Sequence, residues 1–467
     1  MKTSAHGRGL HSFPSPAPPG EGRARVSRAG VCSHRTCLPT KPSPQPSPGS
    51  PGEGAKIFIR SALLLVIVAL VCWPVGGCSQ ESARYTPPAG APWVRVLVLE
   101  NQQHVNLSAN ASPLVHVGPN SAGRELNFPA GIGVPLALSP TGWQMGTAQL
   151  GPGEMLLEPS IDGSVRIGAH AYHGRYRFVP VGPDRFNVIN ELDMESYLQG
   201  VLRSELFPNW HDEAYRAQAI VARTYALYEA RTDGMGRSFD VYSDQRSQVY
   251  GGIDAETPRS REATASTAGI VVAYGPPGRE VIFKSYFSSC CGGVTQSAAD
   301  AFGDREIPPL SDQNRGPICS ESPKFNWGPI QISKAEITRR MRAWGVWRKQ
   351  PLKDIGNVTR IEIQEVSRYR RPVRFLITDT RGYRYSMRAE DAREAINTEA
   401  GSTGVKIFSS FFKPVDHGAD ISFTEGHGYG HGVGMCQWCA EHEAAQGWND
   451  ESIVLNAFPG AKLVRAY

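Results

Sequence analysis

The chain carries almost no excess charge where a folded body can form. Residues 1–60 hold 9 of its 49 Lys and Arg and 2 of its 44 Asp and Glu, and residues 61–78 hold neither. From Ser79 onward 40 basic residues face 42 acidic ones. The formal charge of +5 therefore belongs to the leader, and no nucleic acid partner is expected. A comfortable membrane span is also missing, because the apolar run Ala62 to Cys72 falls well short of ~20 residues. Residues 1–55 are rich in Pro, Gly, Ser and Arg and have no apolar period, which excludes a core there. They repeat themselves, S-P-A-P-P-G-E-G at Ser15 returning as S-P-G-S-P-G-E-G at Ser47. They read as a disordered segment or an over-extended start.

Lys56 and Arg60 precede the apolar run, which closes on V-G-G-C at Val75 to Cys78. This resembles a bacterial lipobox, with Cys78 as the residue that takes the lipid and begins the mature chain. Residues 56–78 are thus expected to be a lipoprotein-type signal segment. The body is then exported to the cell envelope or periplasm and held to a membrane by its lipid; an uncleaved anchor is the alternative. Beyond Cys78 cysteine is scarce: Cys290, Cys291, Cys319, Cys436 and Cys439. An oxidising compartment favours disulfides, but five is odd, so at least one thiol stays free or the cysteines serve another end.

What is present reads as α+β. Residues 79–92 form a linker. Residues 93–190 read as a β-rich part, from V-R-V-L-V-L-E through short runs such as Ser164 to Gly168 and Tyr176 to Val181, parted by Gly, Pro and Asn. A helical pair follows. Met194, Tyr197, Leu198, Val201, Leu202 and Leu206 recur at helical spacing, and Glu205 projects from the same apolar face. Desolvation penalises a carboxylate in such a place and raises its pKa. Phe207-Pro208 ends the helix and leaves Glu205 in the last turn, near a surface. A second helix starts at Asp212-Glu213, kept slim by Ala217, Ala219 and Ala222. Gln218 and Arg223 are its polar residues aimed back toward Glu205. The plainer alternative is a structural ion pair between Glu205 and an arginine. Further on, Ser333 to Glu336 is a capping box opening a helix that ends near Trp344-Gly345. Alternating segments Thr359 to Val366, Val373 to Thr378 and Tyr383 to Met387 suggest a small antiparallel sheet, a β insertion at about 355–390, whose arginines Arg368, Arg370 and Arg371 are expected to be exposed.

Two long motifs carry a resemblance. E-S-Y-L-Q-G-V-L-R-S-E-L-F-P-N-W with A-Q-A-I-V-A-R-T-Y-A-L, and far downstream G-H-G-Y-G-H-G-V-G-M-C-Q-W-C-A at Gly426 to Ala440, resemble the signatures of the stage II sporulation protein D and amidase enhancer LytB (SpoIID/LytB) family. The likeness runs from about Trp93 to the C-terminus, which makes residues 191–467 the catalytic region. Y-F-S-S-C-C-G-G-V-T at Tyr286 to Thr295 resembles a third family segment. Where some members carry zinc-binding His and Cys, this chain has Asp244, Arg246 and Ser247, so that metal site is expected to be missing.

The resemblance implies a lytic transglycosylase acting on peptidoglycan glycan strands, with Glu205 as the single general acid and base. Gln218, Arg223, Tyr225 and His431 are then expected to position substrate, together with Gln437. Ser288, Ser289 and Thr295 can hydrogen-bond sugar hydroxyls, the alternative being a turn closed by a Cys291–Cys319 disulfide. A non-catalytic amidase enhancer or wall-binding module, with an N-acetylmuramoyl-L-alanine amidase as partner, is the second reading. A metal hydrolase using His427, His431 and the cysteines is the third. His427 and His431 stand four residues apart, but glycine at every second position argues against the helix that would converge them on a metal. No cofactor is expected, and zinc is the less favoured reading. Cys436 and Cys439 replace the family's Ser and Gly and form C-x-x-C, a disulfide or half a zinc site with Cys291 and Cys319.

Overall fold

Strand Phe186–Asp193 runs directly into helix α1 (Met194–Glu205), and this junction fixes everything around it. Asp193, wholly buried at the last strand position, accepts from the backbone N–H groups of Glu195 and Ser196, both at 3.0 Å. It therefore supplies two of the donors a helix start leaves unpaired. The computed structural model describes residues 90–118, 123–126, 128, 131–160, 164–400 and 404–467. The expected signal segment and Cys78 lie outside the described residues. Among the described residues no helix is long and apolar enough to cross a membrane.

The fold is α+β with a β-rich N-terminal part. Trp93–Gln102 and Phe186–Asp193 pair antiparallel near one side of a seven-stranded sheet. A six-stranded sheet is built around His104–Ala109 and Val134–Ser139. One core serves both sheets: Val96, Phe178, Phe186 and Val188 meet Leu107, Leu136 and Trp143. The same core continues into α1 through Met194, Tyr197, Leu198 and Val201, the stripe anticipated from spacing. Leu206 leaves the helix in an extended conformation, two residues ahead of Pro208.

Helix α2 (Asp212–Arg231) is the central rod, and from Ala214 to Leu227 only Arg216 escapes burial. Alanines at 214, 217, 219, 222 and 226 keep its surface low enough for close approach on several sides. It contacts α1, α3 (Pro258–Ser266) and the strands Trp93–Gln102 and Ile270–Tyr274. Beyond α3 come the short α4 (Ala298–Phe302), then α5 (Lys334–Arg348) and α6 (Ala389–Asn397). The helices α7 (Gln437–Ala445) and α8 (Asp450–Ala457) also pack on α2. Ser333 caps α5 by accepting from Glu336 N at 3.2 Å, and the helix runs to Arg348, past the expected stop at Trp344-Gly345.

The small sheet forms from Val358–Val366, Pro372–Asp379 and Arg384–Arg388. One expectation there fails. Arg368 and Arg370 are exposed, but Arg371 is wholly buried and donates to the carbonyls of Cys291, Val294 and His431 at 2.9, 2.6 and 3.1 Å. The Gly-rich segment folds over it, which adjacency in sequence to two surface arginines could not reveal. That segment is a loop, as its glycines require. Gly434 has φ +71°, and a Cβ there would lie 2.0 Å from the Tyr286 carbonyl oxygen.

Candidate active site at the end of the first helix

Glu205 is the last residue of α1. The residue keeps some surface, while its carboxyl lies among protein atoms. Burial pushes the carboxyl up from 4.5 to about 7, and the hydrogen bonds from Val249 and Gln437 pull it only part of the way back. No cation contributes to the balance. The ion-pair alternative for Glu205 thus finds no arginine to carry it among the described residues. Leu202, Leu206, Trp210 and Tyr215 form an apolar cluster about the same end of α1.

Two segments distant in sequence complete the surroundings. Val249 N donates to Glu205 Oε1 at 2.7 Å. Gln248 beside it accepts from the Tyr197 hydroxyl at 3.0 Å and donates to the Ala222 carbonyl at 3.3 Å. From the C-terminal side, Gln437 at the start of α7 donates to the Glu205 backbone carbonyl at 3.4 Å. Its neighbour Trp438 meets Phe207 and Trp210, with ring centroids 5.8 and 5.1 Å apart. Phe207 is 39% exposed, so an aromatic shelf opens to solvent one turn from the acid.

The expected substrate-binding residues separate into groups. Gln437 stands at Glu205. Tyr225 is close: it and Glu205 both bear on the buried Tyr197 hydroxyl, and Tyr225 interacts with Ser247 in the loop that carries Val249. Gln218 is wholly buried with both amide atoms lacking a protein partner. Ser288 is buried with an unpartnered hydroxyl; Ser289 is half-buried, and its carbonyl accepts from Trp438 N at 3.1 Å.

Arg223 and Thr295 do not face a ligand. The wholly buried Arg223 grips Glu195 through Nε at 2.9 Å and Nη2 at 2.6 Å and donates to the Ile270 carbonyl at 3.0 Å. Every edge of its guanidinium is occupied inside the protein. The antiparallel run of the two helices puts position 223 beside the first turn of α1, at the opposite end from Glu205. Thr295 is buried and accepts from Gln313 N at 2.7 Å, closing a turn.

His431 is half-buried against Tyr286 and Phe302, at ring distances of 5.9 and 5.3 Å, and no contact joins it to Glu205. Its Nδ1 accepts from Val433 N at 3.0 Å, and burial lowers its pKa to about 4, so it is neutral at neutral pH. His427 is turned to Asn326 at 2.8 Å. The two histidines share no metal geometry. Among the described residues, metal-ligating side chains converge elsewhere, at Cys291, Cys319, Cys436 and Cys439. Val249, whose contribution is a backbone N–H without a side-chain signature, is not legible in the sequence, and neither is the joining of Phe207, Trp210 and Trp438 into a shelf. The F-P-N-W and Q-W spacings were the signal available for the shelf.

Residues 183–274, which hold both helices and the Val249 loop, match the sequence profile of the family described as Stage II sporulation protein. An uncharacterised protein of Brachyspira hyodysenteriae is 31% identical over 58% of this chain and 66% of its own length. The Bacillus subtilis amidase enhancer is 22% identical over 57% of this chain, and only 40% of that longer protein is spanned. The Bacillus subtilis stage II sporulation protein D is 24% identical over 62% of this chain and 79% of its own length. With the acid, its loop and the α7 motif arranged around one another, the chain belongs to the family of stage II sporulation protein D and the amidase enhancer.

Proposed function

We propose that the protein is a cell-wall enzyme, a lytic transglycosylase that cleaves peptidoglycan glycan strands. Membership of a family that includes an amidase enhancer supports a cell-wall-related role. The observation that carries the finer reading is the carboxyl of Glu205, raised to about 7 and lacking a cationic partner at the surface end of α1.

Hydrolytic glycosidases use two carboxylates, one to protonate the leaving oxygen and one to attack or to activate water. A single acid suffices when the nucleophile belongs to the substrate. Protonated Glu205 donates to the β-1,4 glycosidic oxygen as the C1–O bond breaks. The C6 hydroxyl of the same muramic residue attacks C1, and Glu205 takes up the C6 proton as the 1,6-anhydro ring closes. No water is consumed, and intramolecular placement substitutes for the second carboxylate. Burial keeps Glu205 protonated near neutral pH. Gln437 and Val249 fix the turn that carries it, and Phe207 with Trp438 offers ring surface to a pyranose face. A lipid on Cys78 would hold the enzyme beside its substrate in the envelope.

The test is mass analysis of products from purified glycan strands. Release of 1,6-anhydro ends that vanishes in a folded Glu205→Gln variant is the expected result; undiminished release overturns the assignment. Stimulation of an added amidase without any sugar cleavage would instead establish the enhancer role.

A further inference from the structure

We propose that Cys291, Cys319, Cys436 and Cys439 form a tetrathiolate zinc site that fixes the start of α7. This goes beyond the enzymatic reading and stands whether or not Glu205 is catalytic. All four side chains are buried, and their sulfurs lie within 4.8 Å of one another. Cys291 Sγ is 3.7 Å from Cys319 Sγ and 3.8 Å from Cys439 Sγ. A disulfide needs about 2.05 Å. Four Zn–S bonds of about 2.3 Å directed to the corners of a tetrahedron place the sulfurs about 3.8 Å apart. The two distances from Cys291 match the second spacing, and the other sulfurs lie no more than 4.8 Å apart.

Its surroundings suit thiolates. Cys436 Sγ accepts from Cys291 N at 3.2 Å and from Cys439 N at 3.4 Å, at the N-terminus of α7, where the helix dipole favours negative charge. Zinc with four thiolates carries a net charge of −2, and cations stand beside it. The guanidinium of Arg371 is wholly buried and binds the Cys291 carbonyl, with no ion pair to a carboxylate among the described residues. The Glu390 carboxylate acts on that buried charge from beyond ion-pair distance, and an adjacent dianion would offset more of its desolvation cost. Arg315, also buried, feels the same sulfurs and is paired with Glu443.

The fifth cysteine is a built-in control. Cys290 is buried too and touches the Cys319 and Cys436 thiols, but its sulfur turns to the Cys319 carbonyl at 3.9 Å and is not one of the four that converge within 4.8 Å of one another. The site also differs in place from the 244–247 segment. Its ligands come from three stretches: the loop before Gly292, the turn at Gly316–Cys319, and the first turn of α7. Gln437 and Trp438 sit between two of the ligands, so the metal would hold in register the residues that touch the Glu205 turn.

The test is elemental analysis and thiol counting on the full chain purified without chelator. About one zinc per chain is expected, with four thiols that react only after denaturation in chelator. Cys436→Ser should lose the metal, while Cys290→Ser keeps it. A wild-type chain without zinc whose intact mass shows disulfides overturns the proposal, as does full zinc retention by Cys436→Ser. If that variant fails to fold, cobalt(II) loading of the wild-type chain decides. Sulfur-to-cobalt charge-transfer bands with a tetrahedral ligand-field pattern support the site, and their absence overturns it.

Discussion

The backbone N–H of Val249 donates to Oε1 of Glu205 at 2.7 Å, and the carboxyl nonetheless stays raised to about 7. A hydrogen bond to the ionised form lowers a pKa and desolvation raises it. The outcome at Glu205 says which wins: burial of the carboxyl outweighs the donor. The donor then serves mainly to aim the group by holding Oε1.

That balance makes Glu205 a stability liability in alkali. The unfolded carboxyl titrates near 4.5 and the folded one near 7, so folding stability falls as pH rises between them and the loss is complete above the upper value. Glu205→Gln keeps an acceptor for Val249 and removes the penalty. At pH 8 the variant should be more stable than wild type by about 1–3 kcal/mol, and at pH 4 the two should coincide. Urea unfolding at both pH values measures this; a variant weaker at pH 8 would contradict the buried-acid account.

Activity should follow the same group in the opposite sense to a base. As a proton donor Glu205 works below about 7, and the rate should fall about tenfold per pH unit above that value. His431 is held neutral down to about 4, so no limb near pH 6 is expected from it. A rate profile across the range reads both.

Arg223→Ala should destabilise the fold by about 3–5 kcal/mol, because it takes the cation from a largely buried Glu195 that keeps only the Gly269 N–H and the Tyr467 hydroxyl. Thermal unfolding reports the loss. The KM of whatever molecules remain folded should be unchanged, whereas a raised KM at unchanged melting temperature would return Arg223 to the substrate.

Two glycines with similar backbone should behave differently. Gly434→Ala meets the Tyr286 carbonyl at 2.0 Å and should be the severe variant, lowering soluble yield and unfolding temperature. Gly447 has φ +83° with nothing within 4 Å of a built Cβ, so Gly447→Ala should cost only about 1 kcal/mol. Paired melting curves separate the two.

The helical pair was legible because periodicity and Pro208 act locally: the buried stripe from Met194 to Leu206 is where spacing put it. The small sheet was legible for the same reason. What the sequence could not convey was which end of a helix meets which. Arg223 and Glu205 share a helical hairpin, yet the antiparallel run opposes Arg223 to Glu195. Arg371 follows two exposed arginines and is buried by a loop sixty positions away, where it binds the His431 carbonyl. The cysteines are the extreme case, Cys291 and Cys439 lying 148 residues apart in sequence and 3.8 Å apart at sulfur. Pairing across such separations is a property of topology, and no local pattern encodes it.

Helix α2 is enclosed along most of its length by α1, α3, α7, α8 and three strands. A rod gripped from so many directions cannot swing on its own. Movement around Glu205 is thereby left to the short segments that touch its turn, Gln248 and Val249 on one side and Gln437 with Trp438 on the other. Mobility at this site should look like two lips parting over an immobile floor, in place of two lobes turning about a hinge.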